Sequence, residues 1–268
     1  MLGRLEASID YLKNESYPIR LRGSLADALA AAGTPACQGA LYHLLKGSLD
    51  SKFREVAVGA LAALEKPTPE IEDVLKQQTA ASEKNVSSTA LLTLGIMASK
   101  VSARTPNRAE DIGAFLDKAG RQAQSMESRL LHLEAIGNAG LSRALPQIEE
   151  SLGDPDPLVR GTALHALRFI PEARADEILL KRLSSDPASV RAQSVSALRH
   201  RSPEIATQSL AIARGDSSLE VRMEALRSYG LRLRSDPSAR NVVQEFSLRD
   251  PDSNVRQQAS KLLEQLKK

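Results

Sequence analysis

The stretch Asp154-Pro155-Asp156-Pro157-Leu158-Val159-Arg160-Gly161-Thr162-Ala163-Leu164-His165-Ala166-Leu167 sets a ruler for the rest of the chain. A Val-Arg pair is followed by Ala163, Ala166 and Leu167, three, six and seven residues past Arg160. That spacing gathers small and apolar side chains on one stripe of a helix. The pattern returns at Arg129 with Ala135 and Ile136, at Arg191 with Ala197 and Leu198, at Arg222 with Ala225, and at Arg256 with Ala259, Leu262 and Leu263. Arg129, Arg160, Arg191 and Arg222 are each 31 residues apart, and Arg256 follows 34 later. Self-similarity at this period, with helical apolar spacing, predicts an all-α chain: a right-handed α-α superhelix of about seven stacked helix pairs.

Working outward, the ruler fits Arg22 with Leu25, Ala28 and Leu29, and Arg54 with Ala57, Ala60 and Leu61. Ser87 takes the arginine slot of the third unit, ahead of Ala90, Thr93 and Leu94. From Ser87 to Arg129 is 42 residues, which places an insertion of about ten residues near 101–107. The expected layout is one solenoid domain over 1–268. Residues 1–20 form an N-terminal cap, 21–125 the first three repeats, 126–249 the regular repeats and 250–268 a polar terminal cap helix.

Composition agrees with this layout. The hydrophobic share is 42% but aromatics are only 3% and tryptophan is absent, so Ala and Leu must build the core by close helix packing. Thirty-six basic against 33 acidic residues leave a net charge of +3, no strong bias toward a polyanion. A single cysteine, Cys37, excludes an internal disulfide. No apolar run approaches the ~20 residues of a membrane span, and residues 1–13 lack the apolar core of a signal peptide. The chain is therefore expected to be soluble, cytoplasmic by default, and exported if these residues are a segment of a longer protein.

Aspartates precede the later units at Asp154, Asp186, Asp216 and Asp250, and Asp236 opens a partner helix; four of the five precede proline. Asp accepts from first-turn amides and Pro needs no partner there, so Asp-Pro reads as a helix start worth about 1 kcal/mol per cap. Stacked repeats would bring Arg160, Arg191, Arg222 and Arg256 toward these aspartates as a charge-assisted ladder. Thr68-Pro69-Glu70 reads as another helix start, and Gly137-Asn138-Ala139-Gly140 as a helix stop.

The Asp-Pro-x-x-x-Val-Arg-x-x-Ala-x-x-Ala-Leu pattern resembles HEAT repeats, a general protein-interaction scaffold. A narrower resemblance rests on Ala28-Leu29-Ala30-Ala31-Ala32-Gly33-Thr34-Pro35-Ala36, Lys66-Pro67-Thr68-Pro69-Glu70, Thr89-Ala90-Leu91-Leu92-Thr93-Leu94-Gly95 and Leu133-Glu134-Ala135-Ile136-Gly137-Asn138-Ala139-Gly140. In this order they are similar to the α-helical domain of vitellogenin-type large lipid transfer proteins. The resemblance covers roughly residues 21–100 and 126–200. It implies a two-layered helical scaffold that wraps a β-rich lipid-binding module or a dimer partner, with no catalytic residues. The chain departs from that family in lacking any strand-rich stretch to wall a lipid cavity, so lipid is expected only through a larger assembly.

Candidate chemistry is sparse. His43, His132, His165 and His200 sit on different repeats without cysteine partners, whereas a metal needs three or four convergent ligands; no metal or cofactor is expected. Cys37 follows a helix start, and a buried structural thiol is the expectation. Gly137–Gly140 lacks the Gly-Lys-Ser/Thr ending of a phosphate loop, and no Gly-x-Ser-x-Gly or His-Glu-x-x-His motif occurs. The expected function is thus a non-catalytic protein-interaction scaffold whose partner face is lined by second helices such as 71–75, 148–152, 178–183 and 205–212. A free-standing adaptor of a protein complex is one alternative. The other is nucleic-acid binding through a basic face of Arg199, Arg201, Arg227, Arg232, Arg234 and Arg240, against which stand few aromatics and interleaved acids.

Overall fold

A computed structural model describes residues 2–185 and 187–266, with the side chains of all of these except 2–6 and 185. The described residues form sixteen α-helices, three short 3-10 turns and no strand: an α-α solenoid. Two compact units divide the chain, Met1–Ala144 and Leu145–Lys268.

Unit 1 holds α1 (Leu2–Lys13), α2 (Ile19–Ala32), α3 (Pro35–Lys46), α4 (Ser51–Ala60), α5 (Pro69–Gln78), α6 (Lys84–Ser102), α7 (Pro106–Arg121) and α8 (Met126–Ala139). α2, α4, α6 and α8 pack side by side as one layer, and α1, α3 and α5 follow one another in a second. The ruler positions Ala57, Ala60, Leu61, Ala90, Leu94, Ala135 and Ile136 are buried. In α2, however, Leu25 is half-buried and Ala28 exposed, and Ala26, Leu29 and Ala30 carry the core. The reason is positional: α2 packs on a following first-layer helix, α4, with none preceding it.

The extra residues expected near 101–107 are not a loop. Only Ala103–Thr105 separate α6 from α7, and the surplus lengthens those helices to 19 and 16 residues. The long α6 lies very close to α8: a Cβ built on Gly95 would stand 2.2 Å from the Ala135 carbonyl oxygen. Gly95 is therefore required by backbone contact rather than by its own dihedrals. Two helices end instead on left-handed glycines, α2 at Gly33 (φ 60°) and α8 at Gly140 (φ 61°). The chain runs helically through Gly137 and Asn138 before Gly140 stops it: the Gly140 amide still bonds the Ile136 carbonyl, and its positive φ then turns the chain out of the helix.

Unit 2 holds α9 (Leu145–Ser151), α10 (Pro157–Ala166), α11 (Ala173–Ser185), α12 (Ala188–Leu198), α13 (Pro203–Ala213), α14 (Leu219–Arg232), α15 (Pro237–Arg249) and α16 (Ser253–Gln265). α10, α12, α14 and α16 pack in sequence, with α11, α13 and α15 each between two of them. Ala163, Ala166, Leu167, Ala197, Leu198, Ala225 and Ala259 are all buried. Proline opens α10, α13 and α15, where its missing N–H costs nothing. On α16 the residues Gln257, Gln258, Lys261 and Gln265 are exposed, which closes the apolar stack with a polar surface.

Candidate interaction surface and the arginine–aspartate contacts

Asp154, Asp216 and Asp250 do not cap helices as the Asp-Pro reading expects. The helices begin later, with Asp156, Ser218 and Asp252 at the N-caps of α10, α14 and α16. Each earlier aspartate instead accepts the amide two residues on: Asp154 from Asp156 (2.8 Å), Asp216 from Ser218 (2.8 Å) and Asp250 from Asp252 (2.9 Å). An Asp side chain can imitate a backbone turn in this way, and it holds the interhelix loop in one shape. Asp236 does cap α15, accepting from Ser238 and Ala239. Asp186 lies outside the described residues.

The loops so fixed meet the arginines. Arg191 donates from Nε and Nη2 to Asp216 at 2.8 and 2.7 Å, a bidentate pair between neighbouring repeats. Arg222 grips Asp250 the same way at 2.9 and 3.1 Å, with both side chains buried. Its Nη1 turns inward to the carbonyls of Asp216 and Ser217, both at 3.0 Å. Arg160 makes the inward bonds to Asp154 and Pro155, and Arg256 to Asp250 and Pro251. One guanidinium thus holds its own loop and the next, and its planar fork of donors is what allows both. The Asp216 carboxyl is held below the usual carboxylate range, chiefly by the Arg191 hydrogen bonds.

In unit 1 Arg22 meets Asp50 in a similar way at 3.0 Å, with the Arg22 guanidinium 4.3 Å from the centre of the Phe53 ring. Arg54 reaches only the Gln78 amide at 3.4 Å while holding the carbonyls of Leu45 and Gly47, and at Ser87 the slot has no arginine. Other polar groups tie this unit. The buried Gln38 amide donates to the carbonyls of Gly33 (2.9 Å) and Lys66 (3.0 Å) and accepts from the Thr68 amide (2.9 Å). It joins two of the family-like segments, Gly33-Thr34-Pro35 and Lys66-Pro67-Thr68, across a repeat boundary. Glu72, buried, pairs with Arg108, which also holds the Pro67 carbonyl. Burial pushes the Glu72 carboxyl above its ordinary range despite that partner. A polar side chain on an otherwise apolar face was the available signal for Gln38; nothing local marks its three partners.

The expected basic face does not gather as free charge. Glu224 holds both Arg199 (2.8 Å) and Arg227 (3.3 Å), and Arg232 pairs with Asp236 (3.3 Å). Arg201 is turned inward onto Asp176 and the carbonyl of Ile170. Among the described residues, Arg234 and Arg240, both exposed, meet no carboxylate. Nearby, the rings of Phe169 and His200 meet edge to face at 5.4 Å, and Arg168 donates toward the Nδ1 of His165. The His165 pKa falls to about 4, through desolvation first and the Arg168 charge second, so the ring is neutral at physiological pH. Cys37 is half-buried rather than buried. No group of three or more metal-ligating side chains converges among the described residues.

Two open grooves run between second helices of unit 2. One, of about 640 Å³, lies between α9 and α11 against Leu152 and Ile178. The other, of about 440 Å³, lies between α13 and α15 and is floored by Val242 and Phe246. On the same helices Ile212 is 44% and Leu248 70% exposed, although most apolar residues of the second helices, such as Ile71, Leu75, Ile148 and Leu183, are core. No helix among the described residues is long and apolar enough to cross a membrane.

Residues 115–199 match the HEAT-repeat family. No curated protein sequence matches the chain. Among solved structures, a lipovitellin structure concerned with lipid–protein interactions is similar with a TM-score of 0.62 and 19% identity, over 87% of this chain and 27% of that one. The complex of CpcE and CpcF of phycocyanin lyase from Nostoc sp. PCC7120 gives a TM-score of 0.50 and 19% identity, over 90% of this chain and 92% of that one. The YibA protein of E. coli gives 0.50 and 16%, over 98% and 96%. At these identities the likeness is one of fold: the chain is a helical solenoid that carries HEAT repeats over residues 115–199.

Proposed function

We propose that the chain is a non-catalytic scaffold that binds a protein partner on its second-helix face. The observation that carries this is the exposure of Ile212 on α13 and Leu248 on α15, second helices of unit 2 that also border an open groove. Leaving large aliphatic side chains in water on adjacent elements marks a contact surface better than scattered surface apolars do. The strongest ion pairs support the same reading, because they link repeat to repeat and each carboxylate that lines the α13–α15 groove is held by an arginine. Nucleic acid is disfavoured by the pairing of Arg199, Arg201, Arg227 and Arg232 with carboxylates, which removes the clustered free cations that phosphates need.

A lipid-transport setting, in which this scaffold clasps a β-rich lipid-binding module, is the second reading. The ordered family-like segments favour it, two of them joined through Gln38. Native mass spectrometry of the chain isolated from its own cells, with organic extraction of the complex, tests both readings. A stable protein complex lost in Ile212→Glu and Leu248→Glu but kept in Leu158→Glu, an exposed leucine of the other layer, supports the scaffold. A complex indifferent to the first two variants overturns the assigned face, and extracted lipid selects the second reading.

A further inference from the structure

We infer that the open face of α2 is a self-association surface: two copies of the chain pair through it as antiparallel helices about a two-fold axis. The surface lies on the first layer of unit 1, apart from the partner face of unit 2 and beyond the scaffold reading. The later repeats show what such a face receives. Within each unit, a first-layer helix meets the one before it through residues two or six past its arginine slot. Val56, Thr89 and Gln193 stand against Gly23, Gly59 and Gly161, and Ala135 and Leu262 against Gly95 and Gly230. The residue just before the slot is covered as well: Phe53, Val86, Val221 and Val255 are buried.

On α2 the same places are open. Leu21, just before the slot, is 52% exposed. Ser24 and Ala28, two and six past it, are exposed, and Leu25 between them is half-buried. Ala31 and Ala32 carry the open face to the end of the helix. α2 thus presents to water the face that another helix covers in the repeats behind it. That equivalence names the kind of occupant, a helix, and the exposed leucines make covering it favourable. Leu21, Leu25, Ala28 and Ala32 follow one another at steps of four, three and four residues, the spacing of a two-helix seam.

A second copy supplies that helix, and only in one arrangement. First-layer helices turn the residues one, five or eight past the slot toward their follower, and Gly23, Gly59, Gly95, Gly161 and Gly230 occupy such places. On α16 the same places hold exposed Gln257, Lys261 and Glu264, so a copy stacked head to tail would desolvate an ammonium and a carboxylate. A two-fold pairing of α2 on α2 fits, because the stripe is complementary to itself. Its bulky residues, Leu21 and Leu25, lie in the N-terminal half and its small ones, Ala28 and Ala32, in the C-terminal half. With the helices antiparallel, Leu21 and Leu25 of one copy lie over Ala32 and Ala28 of the other, large on small. The same pairing brings the exposed Arg20 to the C-terminal end of the second α2, where the helix dipole favours a cation. A parallel pair would set leucine on leucine and leave a gap between the alanines. α2 has 14 residues and is about 21 Å long. One helix per copy covers less than the ~800 Å² of a standard interface, so the expected dissociation constant is on the order of micromolar.

Sedimentation equilibrium of the full-length chain across the micromolar range tests this. A monomer–dimer equilibrium is expected, weakened at least about tenfold in Leu21→Glu, which places a carboxylate at each end of the seam. Because Leu21 is exposed, the helix content and Tm of that variant should match the parent, which separates a lost dimer from a lost fold. Ala28→Leu, which fills the space that Leu25 would enter, should weaken the dimer too, and Leu158→Glu should leave it unchanged. In a Cys37→Ser background, Leu21→Cys and Ala32→Cys chains mixed together should cross-link to each other rather than like to like. A chain that stays monomeric, a dimer indifferent to Leu21→Glu, like-to-like cross-links, or association that grows past the dimer overturns the inference. So does a complex with another protein that Leu21→Glu dissolves while the chain alone stays monomeric, which assigns the stripe to a foreign helix.

Discussion

Unit 1 and unit 2 are built from the same helix pair but fasten one pair to the next by different means. Unit 2 does it with a repeated side-chain device: an aspartate folds a loop, and the preceding arginine grips that aspartate while holding its own loop carbonyls. Unit 1 starts the same way at Arg22 and Asp50, then departs from it at Arg54, which reaches Gln78, and at Ser87, which replaces the arginine of the lengthened α6. There the join is made by backbone proximity at Gly95 and by single-use polar contacts such as Gln38 and the Glu72–Arg108 pair. A repeat protein needs close neighbour interfaces. Periodic charge supplies them where the period holds, and packing of small residues supplies them where it does not.

The sharpest way to break this comparison is Arg222→Ala. It leaves the Asp250 carboxylate buried without its cation and should cost about 3–5 kcal/mol, the usual penalty for breaking one side of a buried pair. Because stability is passed between neighbours only, the loss should appear in hydrogen exchange of α14–α16 and spare α10. Uniform loosening of unit 2 would show that the contacts are not local. Gly95→Ala should cost unit 1 about 3 kcal/mol, since backbone at Ala135 must move to admit a methyl. A tolerated alanine there would mean that α6 and α8 slide freely, and the contrast between the units would dissolve.

A smaller effect separates the units by pH. The His165 pKa stands near 4 in the folded chain against an ordinary 6.5, and that of His200 is lowered as well, by desolvation and then by Arg199 and Arg168. Between those values the unfolded chain binds a proton that the folded chain refuses, so stability falls as pH drops from 6.5 toward 4. Glu72 in unit 1 acts in the opposite sense. Its raised pKa makes the ionised carboxyl a burden above that pKa, and acidification through it relieves the strain. Exchange in α10–α12 should therefore quicken on mild acidification while α5 is protected. His165→Gln should flatten the response of α10–α12, and an unchanged slope would remove His165 as its source.

The repeating part of the fold was legible in the sequence because a stripe of Ala and Leu at fixed distance from an arginine is a local signal. Ala163, Ala197, Ala225 and Ala259 are buried where the ruler puts them. The helix starts were legible at Thr68 and Asp236 and two residues early at Asp154, Asp216 and Asp250. Asp-Pro reads equally as a cap or as a folded loop two residues upstream, and either leaves an oxygen for an arginine: Asp50 caps α4 and meets Arg22, whereas Asp216 folds a loop and meets Arg191. The extra residues read as an insertion near 101–107 because the period breaks there, and the sequence does not say that longer helices take them up, which helices do at no cost in hydrogen bonds. Of the candidate surface, the arginines were visible but not their partners. Glu224 and Glu245 lie 25 and 31 residues from the arginines they neutralise, a distance that no motif spans.

The two-sided hold of Arg222 also makes successive repeats interchangeable parts. Each repeat offers an arginine forward and an aspartate backward, so any member of the series can follow any other. Excising 216–249, the 34 residues from one loop aspartate to the next, would present Asp250 to Arg191 in place of Asp216, at the cost of Glu224 and Glu245, the partners of Arg199 and Arg214. Length in unit 2 is thus free to vary by whole repeats through recombination. Unit 1, whose fastenings are each used once, is fixed in length by the same logic.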